Sequence, residues 1–150
     1  MDFKVISRRD SKECKPKRKY IHISICSPDM DDVELPHNEN RVATLYLKFH
    51  DIGGDFDERT KSDFTEEEII SFSKDQAKLI LDFVYNHLNE VEIIVVNCMA
   101  GISRSSAVAG ALSKILNGDD MRFFNHKRWR PNSHVYKTIL EAYHENLNNS

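Results

Sequence analysis

Apolar positions cluster in short stretches over the first third of the chain. "FKVIS" (residues 3–7) and "YIHISI" (residues 20–25) have the length and β-branched content of strands. The basic, proline-containing "RRDSKECKPKRK" between them predicts a surface connection. "ATLYLKF" (residues 43–49) alternates, which sets Leu45, Leu47 and Phe49 on one face of a third strand. The glycine- and aspartate-rich "HDIGGDFDERTKSDF" that follows predicts a long exposed loop.

The period then changes to that of helices. Thr65 with Glu68, and Ser73 with Gln76, each match a capping box, so a helix is expected to start at both places. The second would carry Ala77, Ile80, Phe83, Val84, His87 and Leu88 on one core-facing stripe. "VEIIVV" is a continuous β-branched run of strand length, the mark of a strand covered on both faces, and it ends at Asn97. From Arg104, Ala107, Val108, Ala111, Leu112 and Ile115 recur at helical spacing up to the stop signal Asn117-Gly118. A short helix capped by Asp119 or Asp120 and a final helix beginning near Asn132, after Pro131, complete the pattern.

Strands alternating with helices predict an α/β fold, a central mostly parallel four- to five-stranded sheet flanked by helices. A chain of 150 residues with 40% apolar content suits one domain over residues 1–150 and is too short for two. The formal charge of −3, from 24 acids and 21 bases, offers no global field for nucleic acid, so no nucleic-acid partner is expected. No apolar run approaches the roughly 18–20 residues of a membrane span, and "MDFKVISRRD" lacks the apolar core of a signal peptide, so neither membrane nor export is expected. Cys14, Cys26 and Cys98 lack C-x-x-C spacing, which fits a reducing, cytoplasmic compartment. The seven histidines show no ligand spacing, so no metal is expected.

Chemistry concentrates in "VNCMAGISRSS", Val96 to Ser106. Ligands of open α/β sheets bind where strand ends lead into helix N-termini. Wrapped tightly, as Gly101 permits, the backbone N–H groups of Met99, Ala100, Gly101, Ile102, Ser103 and Arg104 would point inward, and the helix dipole adds its positive end. Such a loop cradles an anion. Arg104 could grip two phosphate oxygens at once, as lysine cannot. Cys98 would lie beneath the phosphorus, where positive surroundings favour the nucleophilic thiolate. Cys14 and Cys26 have no such setting and read as small buried or surface residues.

The C-x5-R spacing followed by Ser105, in "CMAGISRSS", resembles the signature loop of the cysteine-dependent protein phosphatases, closest to the dual-specificity group, whose loops commonly read H-C-x-A-G-x-S-R-S. "YIHISICSP" resembles an early strand of that family, and "PNSHVYKTILEAY" is similar to its closing helix. The resemblance spans roughly residues 20–145 and departs at Asn97, where the family usually has histidine. It implies a two-step phosphomonoester hydrolysis without cofactor or metal. Cys98 would attack phosphorus, an aspartic acid would protonate the departing oxygen, and the aspartate would then activate water. Ser105 would donate a hydrogen bond to the departing sulfur. The acid's place after the "ATLYLKFH" strand points to Asp51, with Asp55 and Asp57 as competitors.

A phosphorylated protein is the substrate this resemblance implies. One rival reading is a phosphate-binding module with weak or no catalysis. A second is a phosphatase of phosphoinositides or RNA 5′-ends, whose loops carry basic or distinctive residues that Met99, Ala100, Ile102 and Ser103 do not match. The basic "NHKRWR" (residues 125–130) reads first as solvated surface, and Trp129 as either a core anchor or a stacking platform.

Overall fold

The computed structural model describes residues 1–53 and 64–148, with Asn148 described for its backbone only. In chain order its elements are β1 (Asp2–Ser7), α1 (Arg8–Ser11), β2 (Tyr20–Cys26), β3 (Arg41–Lys48), α2 (Lys74–His87), β4 (Ile93–Cys98), α3 (Arg104–Asn117), α4 (Met121–Phe124) and α5 (Ser133–Asn148). The four strands form one parallel sheet in the order β1-β4-β2-β3. The two interior strands are therefore β4 and β2. β4 pairs with β1 from Asp2↔Ile93 to Ser7↔Cys98, and with β2 from Tyr20↔Ile93 to Ser24↔Asn97.

The two faces of the sheet differ. Strand alternation turns Ile21, Ile23, Ile25, Ile94, Val96 and Cys98 into the main core, which they share with Ala77, Ile80 and Val84 of α2, Ala107, Val108 and Leu112 of α3, and Ile139 of α5. The opposite face carries a second, small cluster of Cys14, Tyr20 and Val95, to which the connection after α1 contributes Cys14. The "RRDSKECKPKRK" segment is thus more than surface: Ser7 caps a single helical turn by accepting from the Asp10 N–H, and Ser11 and Cys14 are buried. All seven residues of β2 are buried, so the polar His22 and Ser24 lie inside the protein.

The two expected capping boxes behave differently. Ser73 and Gln76 form the full reciprocal pair and α2 runs from them for 14 residues. Thr65 and Glu68 also bond, with the Thr65 N–H and hydroxyl both donating to Glu68 Oε1, but they close one turn and no helix follows. The next residues, "IISFS", are β-branched, aromatic or hydroxyl-bearing and propagate a helix poorly. α3 ends at Gly118, whose φ of 75° is the left-handed conformation of a helix stop. At α4 it is Asp119, not Asp120, whose carboxylate accepts from the Met121 N–H; Asp120 instead accepts from the Tyr136 hydroxyl. No helix among the described residues is long and apolar enough to cross a membrane.

These two sites give a paired test. Ser73→Ala removes an N-cap on which 14 residues depend and should lower stability by about 1 kcal/mol. Thr65→Ala caps no helix and should cost less than half as much, as read from urea unfolding midpoints; equal losses would show that the 65–68 turn carries a helix in solution.

Candidate active site

The "CMAGISR" loop joins the end of β4 to the start of α3. Its backbone carbonyls face outward: Met99 accepts from the Arg8 N–H (3.1 Å), Ile102 from the Arg130 N–H (3.0 Å) and Ser103 from the Asn132 N–H (3.1 Å). In a trans peptide the N–H opposes the carbonyl, so the N–H groups of Ala100, Ser103 and Arg104 are turned toward the inside of the loop. Gly101 has φ 71°, and a Cβ there would lie 2.6 Å from the Ile6 carbonyl carbon and the Ser7 nitrogen. Glycine is required both by conformation and by the close approach of β1.

The predicted chemistry-bearing residues meet at this loop. Cys98 is buried at 2% exposure, and its Sγ lies 3.1 Å from the equally buried Ser105 Oγ. Arg104 is 7% exposed and held through Nη1, which donates to the Phe49 carbonyl (2.8 Å) and to Ser27 Oγ (3.1 Å). A guanidinium fixed in this way has its plane set before any ligand arrives. Asp51 Oδ1 accepts from Ser103 Oγ (2.9 Å) and from Asn132 Nδ2 (2.6 Å), which joins the candidate acid directly to the loop that carries the candidate nucleophile. Asp55 and Asp57 lie outside the described residues.

Several contributors were not singled out from sequence. Asn132, at the start of α5, donates from Nδ2 to both Asp51 and the Ile52 carbonyl, while its Oδ1 accepts from the Val135 N–H and caps the helix. Ser27 and the Phe49 carbonyl orient Arg104; their only sequence signal is that each directly follows a strand. His50 closes the base of the loop behind Asp51: its N–H donates to the Ile70 carbonyl and its Nδ1 accepts from the Ile70 N–H (2.9 Å). Burial holds the His50 pKa below its ordinary value.

Asn97, which precedes the nucleophile, is buried on the face opposite Cys98 and accepts through Oδ1 from His22 Nε2 at 2.8 Å. Desolvation lowers the His22 pKa to about 4, against the smaller opposing effect of that hydrogen bond. Trp129 packs against the main core with Phe123 stacked on one side at 5.3 Å and His126 at 3.9 Å, so it is a core anchor. The other side chains of the 125–130 segment are exposed, as expected of a solvated surface, and its backbone is tied to the active loop by the Arg130–Ile102 bond.

No protein-family model matches the chain, and no curated protein matches it in sequence. Solved structures do. The chain is similar to human DUSP28, with a TM-score of 0.64 and 14% identity over 99% of this chain and 95% of that one. It is similar to Tk-PTP in its active form, with a TM-score of 0.55 and 17% identity over 95% and 90% of the two chains. It is also similar to the human tyrosine phosphatase-like serine/threonine/tyrosine-interacting protein, with a TM-score of 0.57 and 17% identity over 86% and 79%. The fold is that of the dual-specificity and tyrosine phosphatases.

The buried His22 predicts an acid-sensitive fold. The unfolded chain takes up a proton at this residue as pH falls through 6.5, whereas the folded protein resists until about pH 4. Stability is therefore full above pH 6.5 and falls across that window, by roughly 3 kcal/mol from this residue. His22→Gln, which keeps a donor toward Asn97 but does not titrate, should flatten the pH dependence of urea unfolding between pH 7 and pH 4.5. A slope identical to the parent's would remove His22 as its cause.

Proposed function

We propose that the chain is a cysteine-dependent phosphatase that removes phosphate from phosphotyrosine, and also phosphoserine or phosphothreonine, in proteins through a cysteinyl-phosphate intermediate. The observation that carries this reading is the hydrogen bond between Asp51 and Ser103, because it brings a carboxyl group to the rim of a loop whose floor is Cys98. A phosphate seated in the loop would meet inward N–H groups, the positive end of α3 and the pre-set guanidinium of Arg104.

In the first step the Cys98 sulfur attacks phosphorus and the bond to the substrate oxygen breaks. The Asp51 proton passes to that oxygen, and the alcohol leaves. In the second, water attacks phosphorus, its proton returns to Asp51, and the sulfur–phosphorus bond breaks to release inorganic phosphate. The Ser105 hydroxyl, 3.1 Å from the sulfur, would hydrogen-bond the thiolate as it departs. Protein substrates in a reducing, cytoplasmic setting fit the free cysteines.

A fold does not by itself carry an activity, and one similar structure is named only as tyrosine phosphatase-like. A phosphate-binding module could dispense with the nucleophile or the acid; here Cys98, Arg104, Asp51 and Ser105 are all present and in mutual contact range of one loop. This favours the enzyme.

Turnover of a phosphotyrosine peptide, set beside phosphoserine peptide and phosphoinositide substrates, is the direct test. Cys98→Ser should abolish hydrolysis and preserve phosphopeptide binding, since the cradle and Arg104 remain; surviving turnover would rule out the covalent route. Arg104→Lys should weaken both.

Asp51→Asn should slow alkyl phosphates by about 10²–10⁴-fold and aryl phosphates with good leaving groups much less, because acid assistance matters most for a poor leaving group. If Asp55→Asn or Asp57→Asn produces that split and Asp51→Asn does not, the acid lies in the 54–63 segment.

A further inference from the structure

We propose, on the basis of the phosphatase reading above, that the mouth of the cradle is electrically two-sided and selects a phosphopeptide with acidic residues on one flank of the phosphorylated residue and basic residues on the other. The sheet order is the starting point. Cys98 ends β4, which lies between β1 and β2, so whatever follows β1 and whatever follows β2 stand on opposite sides of the loop.

On the β1 side, α1 presents exposed Arg9 and is followed by exposed Lys12. The 125–130 segment stands on the same side, because it lines with α1 one cavity of about 150 Å³ bounded by Ser7, Asp10, Gly101, His126 and Arg128. Lys127, Arg128 and Arg130 of that segment are exposed. Both segments are hydrogen-bonded to the active loop itself, through Arg8 to Met99 and Arg130 to Ile102.

On the β2 side the signs reverse. The segment after β2 exposes Asp29, Asp31 and Asp32. It is held at the mouth by Arg8 Nη2, which donates to the Asp31 carbonyl (2.8 Å), and by Lys48 Nζ, which donates to the Met30 carbonyl (2.8 Å). Asp29 lies 3.9 Å from His50, the neighbour of Asp51. Each side also contains residues of the other sign, Asp10 and Glu13 on the basic side and Lys48 and the Arg8 guanidinium on the acidic side, which leaves five bases against two acids on the first and three acids against two bases on the second.

Adjacent strands are about 4.8 Å apart, and an extended peptide rises about 3.4 Å per residue. Charges two or three positions from the phosphorylated residue would therefore face these groups, within a Debye length of about 8–10 Å. A polynucleotide or an anionic lipid surface would bring negative charge to both sides and meet repulsion on one of them. Trp129, within the basic 125–130 segment, has Phe123 and His126 stacked against it and offers no open platform for a base. The arrangement fits a peptide.

The experiment compares kcat/KM for phosphotyrosine peptides of four designs: acidic then basic flanks, the reverse order, both flanks acidic, and both basic. A 5′-phosphorylated oligonucleotide and p-nitrophenyl phosphate serve as further substrates. One of the two bipolar peptides should exceed its reverse by about tenfold at low salt, and the advantage should shrink near 0.5 M salt. The combined exchange Arg9→Glu, Arg128→Glu, Asp31→Lys and Asp32→Lys should invert the preference while p-nitrophenyl phosphate turnover stays unchanged. Equal kcat/KM for all four peptides, or fastest turnover of the uniformly acidic peptide or the oligonucleotide, would overturn the proposal. If p-nitrophenyl phosphate is not turned over at all, the phosphatase reading has failed. The two-sided mouth is then judged from binding of the same peptides to the intact protein, where equal affinities would overturn it.

Discussion

One buried side-chain amide ties the candidate site together. Asn132 is fully buried, and its Nδ2 donates to Asp51 Oδ1 and the Ile52 carbonyl while its Oδ1 accepts from the Val135 N–H. Its own backbone N–H donates to the Ser103 carbonyl. Three segments distant in sequence, the start of the loop after β3, the active loop and the start of α5, are thereby fixed to one another. Burying an amide is favourable only when its hydrogen bonds are made, and a single unmade bond costs about 1–3 kcal/mol. The same bonds that make Asn132 tolerable inside the protein set the position of Asp51.

The loop is otherwise shaped from outside. Its carbonyls are drawn outward by Arg8, Arg130 and Asn132, and its turn is pressed onto the Ile6–Ser7 backbone at Gly101. Inward N–H groups follow from that pull and need no ligand to arrange them. Arg104 obeys the same logic. A guanidinium at 7% exposure is costly unless paired, and the neutral acceptors Phe49 carbonyl and Ser27 Oγ hold it without cancelling its charge. A carboxylate partner would hold it too, at the expense of the positive field.

The parts of this arrangement legible in the sequence were those set by local chemistry. Gly101, the C-x5-R spacing, the β-branched run of β4 and the Asn117-Gly118 stop each act within a few residues, and the structure has them where the pattern put them. Parts set by tertiary contact were not legible. Thr65 and Glu68 make half of a capping box, the Thr65 N–H and hydroxyl donating to Glu68 Oε1 while the Glu68 N–H bonds the Thr65 backbone carbonyl, and the residues after them do not propagate a helix. Ser27 and His50 have no local pattern at all, since their roles exist only once β2 and β3 end beside each other. The charged side chains of the "NHKRWR" segment are exposed, as their chemistry implies, while the backbone bond from Arg130 that fixes the segment to the active loop leaves no trace in side-chain chemistry.

The departure from the family pattern at Asn97 is where the two faces of the sheet matter most. Alternation along β4 turns Cys98 into the main core and turns Asn97 to the opposite face. The Asn97 side chain therefore bears on Cys98 through the strand backbone that the two residues share. His22 of the neighbouring strand, whose ladder partner is Val95, meets Asn97 in a buried hydrogen bond. Either protonation state of the imidazole can donate from Nε2 to Oδ1; it is burial that keeps the ring neutral, lowering its pKa to about 4 against the pull of that hydrogen bond. The His22–Asn97 pair therefore lies on the face of β4 opposite Cys98, apart from the candidate residues Cys98, Ser103, Arg104 and Ser105.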